Sequence, residues 1–268
     1  MRVVDYDASR RADVADLMAR VWGERPDERE LEWFYERNPV RPASVLLGEE
    51  DGRVIATVAI SFQRMSVAGE EIEVGMPLRV ATDTAFRGRG VFRTLEEANE
   101  ERVRGLGVPL LLTVPNAASA PVFLERLGWT ALPSLRVWAR AGLLPAFDSG
   151  PRPAAGHDRV LRDDAWIRWR FVDAPRPYTV VRDGGLAVAG RRGRIGTVAA
   201  VDGPGLGLAA RNARAPVTIA IPPPWERRRY LGAGFVPTPK TFTVLGKSLD
   251  GRPLPPRPHF ELGDLDFL

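Results

Sequence analysis

The chain has 268 residues, a formal net charge of +4, 44% hydrophobic and 27% charged residues, and no cysteine. That composition is ordinary for a globular protein of one large or two small domains, and the missing cysteines exclude disulfides, a thiol nucleophile and cysteine-ligated zinc. No apolar run approaches a membrane span and no signal-peptide pattern opens the chain, so a cytoplasmic protein with no membrane partner is expected.

Taken in chain order, Arg2-Val3-Val4 reads as a short strand. Asp7 or Ser9 can cap a helix whose apolar residues Val14, Leu17, Met18 and Val21 recur at helical spacing. Pro26 opens a second helix with Leu31, Phe34 and Tyr35 on one side, ended by Asn38-Pro39. Residues 44–48 and 53–62 read as strands around an Asp51-Gly52 turn, and a further hairpin turns at Gly69-Glu70. A strand from Met76 to Thr82 feeds the stretch Asp83-Thr84-Ala85-Phe86-Arg87-Gly88-Arg89-Gly90-Val91-Phe92. The helix that follows runs to about Gly105, with Val91, Leu95 and Ala98 inward and a charged outer face. A strand, Pro109–Val114, then a helix led by Asn116, then strands from Trp129 to Arg140 complete this part. Strands with helices between them predict a mixed sheet covered on both faces.

Residues 146–158 are rich in Gly and Pro and read as a linker. Beyond it the sequence echoes the first half. Trp33-Phe34-Tyr35-Glu36-Arg37-Asn38-Pro39 finds a counterpart in Trp169-Arg170-Phe171-Val172-Asp173-Ala174-Pro175, and Leu127-Gly128-Trp129 in Ala233-Gly234-Phe235. Strands at 178–181 and 186–189 flank Asp183-Gly184-Gly185. Gly203-Pro204-Gly205-Leu206-Gly207 reads as a strand-to-loop turn. The tail from Glu261 to Leu268 reads as a terminal strand. His157 and His259 read as solvent-exposed and scattered, so no metal site is expected.

Only two of the 38 basic residues are lysines, Lys240 and Lys247. Arginines are interspersed with Asp and Glu, and the densest runs, 191–194 and 227–229, carry no recognition-helix, zinc-finger or stacking signature. The basic excess therefore reads as solvated faces rather than a nucleic-acid surface.

The strand, glycine turn and helix around Gly88 carry the chemistry. Free N–H groups at a helix start, the helix dipole, and Arg87 and Arg89 suit a diphosphate; the local pattern alone also fits a plain tight turn. A P-loop is excluded because no Lys-Ser or Lys-Thr pair follows the second glycine. A dinucleotide fingerprint is excluded because the first glycine lies several residues past the strand and the next strand ends in Pro115-Asn116 without a carboxylate.

Arg87-Gly88-Arg89-Gly90-Val91-Phe92 resembles motif A of the GNAT superfamily of acyl-CoA-dependent N-acetyltransferases, Gln/Arg-x-x-Gly-x-Gly/Ala, departing from it at Phe92. The segment from Asn116 to Trp129, ending Leu127-Gly128-Trp129, is similar to the family's Asn-led helix. The resemblance implies a mixed, mostly antiparallel sheet flanked by helices. It also implies a tandem form: an acetyl-CoA-binding domain at 1–145 and a shortened, degenerate GNAT-like domain at 159–268. Carried over by position, Val80, Ala81 and Thr82 would bind the pantetheine arm of acetyl-CoA. Arg87, Gly88, Arg89, Gly90, Val91 and Phe92 would hold its diphosphate, and Asn116 matches the family's asparagine. The implied activity is transfer of an acetyl group to a primary amine of a small molecule or peptide.

The family's usual acid and base positions are apolar here, Leu124 and Met76. Tyr35, Glu73, Asp83 and Tyr230 remain as candidates, Tyr230 because it aligns with Leu124 in the second copy. The alternative reading is an acyl-CoA-binding sensor or scaffold with little turnover.

Overall fold

In the computed structural model, residues 1–142, 148, 150 and 156–265 are described. The chain opens with strand β1 (Arg2–Asp5) and helices α1 (Arg11–Trp22) and α2 (Glu28–Tyr35). Strands β2 (Ser44–Glu50), β3 (Arg53–Val67) and β4 (Glu70–Thr82) follow, then α3 (Val91–Gly105), β5 (Leu110–Thr113), α4 (Ala120–Arg126) and β6 (Thr130–Ala141). The later elements are β7 (Arg159–Val160), α5 (Asp164–Ile167), β8 (Tyr178–Arg182), β9 (Leu186–Arg192) and β10 (Ile195–Asp202). They end with α6 (Leu206–Asn212), β11 (Val217–Ala220), α7 (Arg227–Gly232) and β12 (Val236–Ser248). No described helix is long and apolar enough to cross a membrane.

Two compact units share the chain. The first takes residues 1–64, 72–131 and 245–254; the second takes the described residues of 65–71, 132–244 and 255–265.

The first unit begins with helices started by aspartates. Asp7 accepts the Ser9 amide and caps a 3-10 turn that feeds α1, and Asp27 accepts the Arg29 amide at the start of α2. Two tight turns shape the hairpins of β2 to β4. Asp51 and Gly52 have φ of 51° and 73°, and Ala68 and Gly69 have 51° and 87°. Such paired positive values make the two-residue turn that matches strand twist. The sheet of this unit runs β1, β2, β3, β4, β5 and then residues 245–248 of β12. The β1–β2 and β2–β3 pairs are antiparallel, and β4–β5 is parallel. This is the mixed sheet expected, with longer strands: the one read at 53–62 continues to Val67 as β3, and the one read from Met76 begins at Glu70 as β4.

Helix α3 departs from a purely charged outer face. Arg93, Glu97 and Glu101 are exposed, but Glu96 and Glu100 are buried with Leu95, Asn99 and Val103. Glu100 is satisfied: Trp129 Nε1 donates to it at 2.7 Å, and the Lys247 ammonium pairs with it while donating to the Leu127 carbonyl at 2.7 Å. Asn99 is also satisfied, exchanging hydrogen bonds with Ser44. Glu96 is fully buried, and neither carboxyl oxygen has a hydrogen-bond partner among the described residues.

The second unit has its own sheet order, β12, β6, β11, β10, β9, β8, with β10–β11 parallel and the β6–β11, β9–β10 and β8–β9 pairs antiparallel. Its core joins Trp138, Val198, Leu206, Tyr230 and Phe235. Gly203–Gly205 is not a strand-to-loop turn. It links β10 to α6, and β11 then returns parallel to β10, so β10, turn, α6 and β11 repeat the order of β4, turn, α3 and β5. The amides of Gly205 and Leu206 donate to one oxygen of Asp148, at 3.0 and 2.8 Å, and Arg229 grips both Asp148 oxygens at 2.6 and 2.8 Å. The expected terminal strand is instead a short 3-10 turn, Leu262–Asp264, whose buried Glu261 and Asp264 hold Arg162. Residues 266–268, and most of the stretch read as a linker, lie outside the described residues.

The lone carboxyl of Glu96 makes a stability prediction. Burial first, then the neighbouring Glu100, push its pKa well above the ordinary 4.5, with Lys247 opposing. The folded chain therefore keeps a proton that the unfolded chain sheds above pH 4.5, and stability falls as pH rises through that window. Glu96→Gln removes this loss. Its thermal midpoint should exceed that of the unsubstituted chain at pH 8. The two midpoints should converge below pH 4.5.

Candidate functional site

The parallel pairing of β4 with β5 is short. Register pairs Val74 with Leu110 and Gly75 with Leu111, and stops there, although β4 continues to Thr82. Gly75 packs closely at this apex: a Cβ would lie 2.5 Å from Leu111 Cδ2 and 2.8 Å from Ile60 Cγ2, so those side chains would have to move aside. Just beyond it, the Thr113 hydroxyl donates to the Pro77 carbonyl at 3.0 Å, a side-chain link where backbone pairing has ended.

Two residues turn β4 away. Pro77 has no N–H to give to a ladder. Arg79 takes a left-handed φ of 52°, uncommon for a residue with a side chain. Its guanidinium is anchored on α2, 2.5 Å from Glu30 and 4.8 Å from the Phe34 ring centroid. Val80, Ala81 and Thr82 therefore lie on a strand parted from β5. Ala81 is buried, and Val80 and Thr82 are half-buried. Among these residues Arg79, Glu30 and Thr113 are not singled out by sequence; the signal for the break is Pro77 inside a strand.

At the open end, Asp83 starts a 3-10 turn by accepting the Ala85 amide at 3.2 Å. The same carboxylate receives Arg20 at 3.1 Å and Arg53 at 3.0 Å. Burial raises its pKa, but the Ala85 amide and the two guanidinia outweigh burial and hold it below the ordinary range. Asp83 is thereby committed to building the turn.

Gly88 and Gly90 follow with φ of 75° and 77°, and a Cβ at either would meet no atom within 4 Å. The glycines answer the backbone angle, and the space in front of them is open. Gly90 is the N-cap of α3 and offers no side chain, so no side-chain cap covers the first amides of the helix, and its first turn holds no acidic residue. Arg87 reaches back to the Thr82 carbonyl at 3.2 Å, and Arg89 lies 5.1 Å from the Phe86 ring centroid. Both are exposed. Val91 is buried, and half-buried Phe92 packs edge-on to Phe123. Uncapped amides, a dipole of the right sign and two guanidinia form a mouth suited to an anion.

Asn116 stands at the end of β5, where its side-chain oxygen accepts the amides of Ala118 and Ser119, each at 2.9 Å, and shapes the turn into α4. Leu124 on α4 is exposed, and Met76 is buried with the Gln63 amide on its sulfur at 3.5 Å. Tyr35 is core, edge-on to Tyr6 and Phe34. Glu73 is held 2.7 Å from Arg41; burial raises its pKa, and Arg41 only partly offsets that. Tyr230 lies in the core of the second unit, its phenol pushed far above the ordinary range by burial. His259 is buried rather than exposed, and burial, with Arg162 and Arg227 nearby, takes its pKa down to about 3. Among the described residues no group of three or more His, Cys, Asp or Glu is placed to hold a metal.

Residues 3–132 match the family model of the acetyltransferase (GNAT) domain. No curated protein matches the sequence. The chain is similar in fold to a GCN5-related N-acetyltransferase from Kribbella flavida (TM-score 0.70, 16% identity, 93% of this chain and 72% of that one). It is also similar to a probable N-acyltransferase from Enterococcus faecalis (TM-score 0.68, 11% identity, 93% and 73%). A third likeness is to Eis1 from Mycobacterium abscessus (TM-score 0.61, 12% identity, 93% and 74%).

Since the space before Gly90 is open, Gly90→Ala should act through backbone strain alone. We expect a loss of about 1 kcal/mol in stability by denaturant unfolding, with an unchanged circular dichroism spectrum.

Proposed function

We propose that this chain, whose residues 3–132 form a GNAT acetyltransferase domain, transfers an acetyl group from acetyl-CoA to the primary amine of a small molecule or peptide. The observation that carries this reading is the parted seam of β4 and β5 ending at an uncapped helix start. The CoA diphosphate sits on the amides of Gly88, Arg89, Gly90, Val91 and Phe92, with Arg87 beside them. The pantetheine arm runs along Val80, Ala81 and Thr82, and Asn116 borders it from the end of β5.

In the reaction the amine nitrogen attacks the thioester carbonyl carbon. The C–N bond forms, the C–S bond breaks, the nitrogen gives a proton to solvent or a base, and the thiolate gains one. Holding donor and amine together supplies much of the rate. Leu124 cannot donate that proton and Met76 cannot accept one. Of the titratable candidates, Glu73 is ion-paired to Arg41 ahead of the paired apex of β4 and β5, while Tyr35 and Tyr230 serve the cores in which they lie.

The second half is read as a shortened, degenerate copy, with 1–145 the acyl-CoA domain, 146–158 a linker and 159–268 the copy. Its counterpart of the anion mouth is filled by the chain's own Asp148. A second reading, an acyl-CoA sensor or scaffold with little turnover, is favoured by the apolar residues at 76 and 124.

Isothermal titration with acetyl-CoA should give one site per chain, and Arg87→Ala should weaken it several-fold. Thiol release with a panel of amines then separates the two readings: turnover supports the transferase, and tight binding with no turnover across a broad panel supports the sensor. No binding of CoA esters would defeat both.

A further inference from the structure

Glu96 is the one carboxyl on α3 whose burial the fold does not account for. Its position follows from helix geometry. A Cβ on Gly75, at the apex where β4 and β5 still pair, would lie 3.7 Å from Val103 Cγ1, so Val103 faces the seam. Glu96 is two turns nearer the anion mouth on the same helical face, about 10 Å along the axis from Val103. At a strand rise of about 3.3 Å, that level on β4 lies about three residues past Gly75, near Leu78, where β4 has no register partner on β5. One turn to either side on α3 are Phe92, which packs on Phe123, and Glu100, which is bound to Trp129 and Lys247.

Glu100 thus takes the one ammonium of this interface, and Glu96 is left fully buried with neither oxygen hydrogen-bonded among the described residues. Burying a polar group this way leaves its desolvation uncompensated. No described side chain or backbone group recovers that cost. A ligand entering the seam with amide groups of its own would.

We propose that the Glu96 carboxyl is a binding contact for the amide-bearing arm of the acyl donor, donating its proton to an arm carbonyl or accepting an arm N–H. This rests on the reading of the first unit as an acyl-CoA site. Helix α3 then acts at two points along its length, holding the diphosphate at its start and the arm through a side chain further on.

The test compares CoA with adenosine 3′,5′-bisphosphate, which lacks the arm, by calorimetric titration of the full chain. Glu96→Leu should weaken CoA about tenfold and leave the bisphosphate unchanged, while Glu96→Gln, which keeps a donor and an acceptor, should stay close to the unsubstituted chain. Equal CoA binding by Glu96→Leu, or equal loss of both ligands by a variant that remains folded, would overturn the proposal. Should the Leu variant not fold, infrared difference spectra decide: CoA but not the bisphosphate should shift a protonated-carboxyl band that Glu96→Gln lacks. A spectrum with no such shift would overturn the assignment. A chain that binds neither ligand refutes the acyl-CoA reading itself, and a chain that binds CoA without involving Glu96 refutes this inference alone.

Discussion

Backbone hydrogen bonding between β4 and β5 ends two residue pairs after it begins, and the first unit is arranged around that fact. Parallel strands left unpaired are costly, because their N–H and C=O groups must find other partners. The break is built in three steps: a glycine packed against Leu111 and Ile60, a proline with no N–H, and an arginine in a left-handed conformation. Arg79 would not hold that conformation unaided. Its guanidinium, clamped by Glu30 and Phe34, ties the bend in the strand to α2. The strain of the strand is thus offset by packing from the helical layer.

The two units handle the start of the helix after a glycine turn in opposite ways. In the first, Gly90 leaves the amides uncapped and arginines surround them. In the second, Asp148 lies against the corresponding amides and Arg229 holds it there. The same local architecture gives an open anion mouth in one case and an internal ion pair in the other. The difference is one carboxylate that follows β6 in the chain. The carboxyls buried under α3 show the same economy of partners: one ammonium, Lys247, lies near both and pairs with Glu100, while Glu96 keeps its proton.

Much of the first unit is legible in sequence because its signals are local. Asp51-Gly52 demands a tight hairpin turn, Asp7 and Asp27 lie at helix starts, and the spacing of Leu31, Phe34 and Tyr35 points one face inward. Gly88 and Gly90 are legible as a turn before a helix because only glycine sits easily at such angles. What escapes depends on long-range contacts. Glu96 and Glu100 look like solvated charges, because a helical pattern of Glu and Arg does not reveal that strand 245–248 brings a lysine beneath them. His259 looks exposed in a proline-rich segment, yet it is packed beside Trp225. Gly203–Gly205 hides its helix because α6 is only two turns long, too short to show a periodicity. Arg79 gives no sign, since nothing in its neighbours other than Pro77 announces a left-handed residue within a strand.

Strand 245–248 has a bearing on how the protein is made. The edge of β5 is covered only by these late residues, with Leu245 to Ser248 paired against Thr113 to Leu110 and the Leu249 amide on the Pro109 carbonyl. During synthesis the ribosome delivers β1 through α4 long before this closing strand, so the nascent first unit waits with a bare hydrophobic strand edge and an unmatched Glu100. An exposed edge of that kind is where chains stick to one another. Everything between Ala131 and Leu245 is therefore translated while the unit that precedes it is still one strand short.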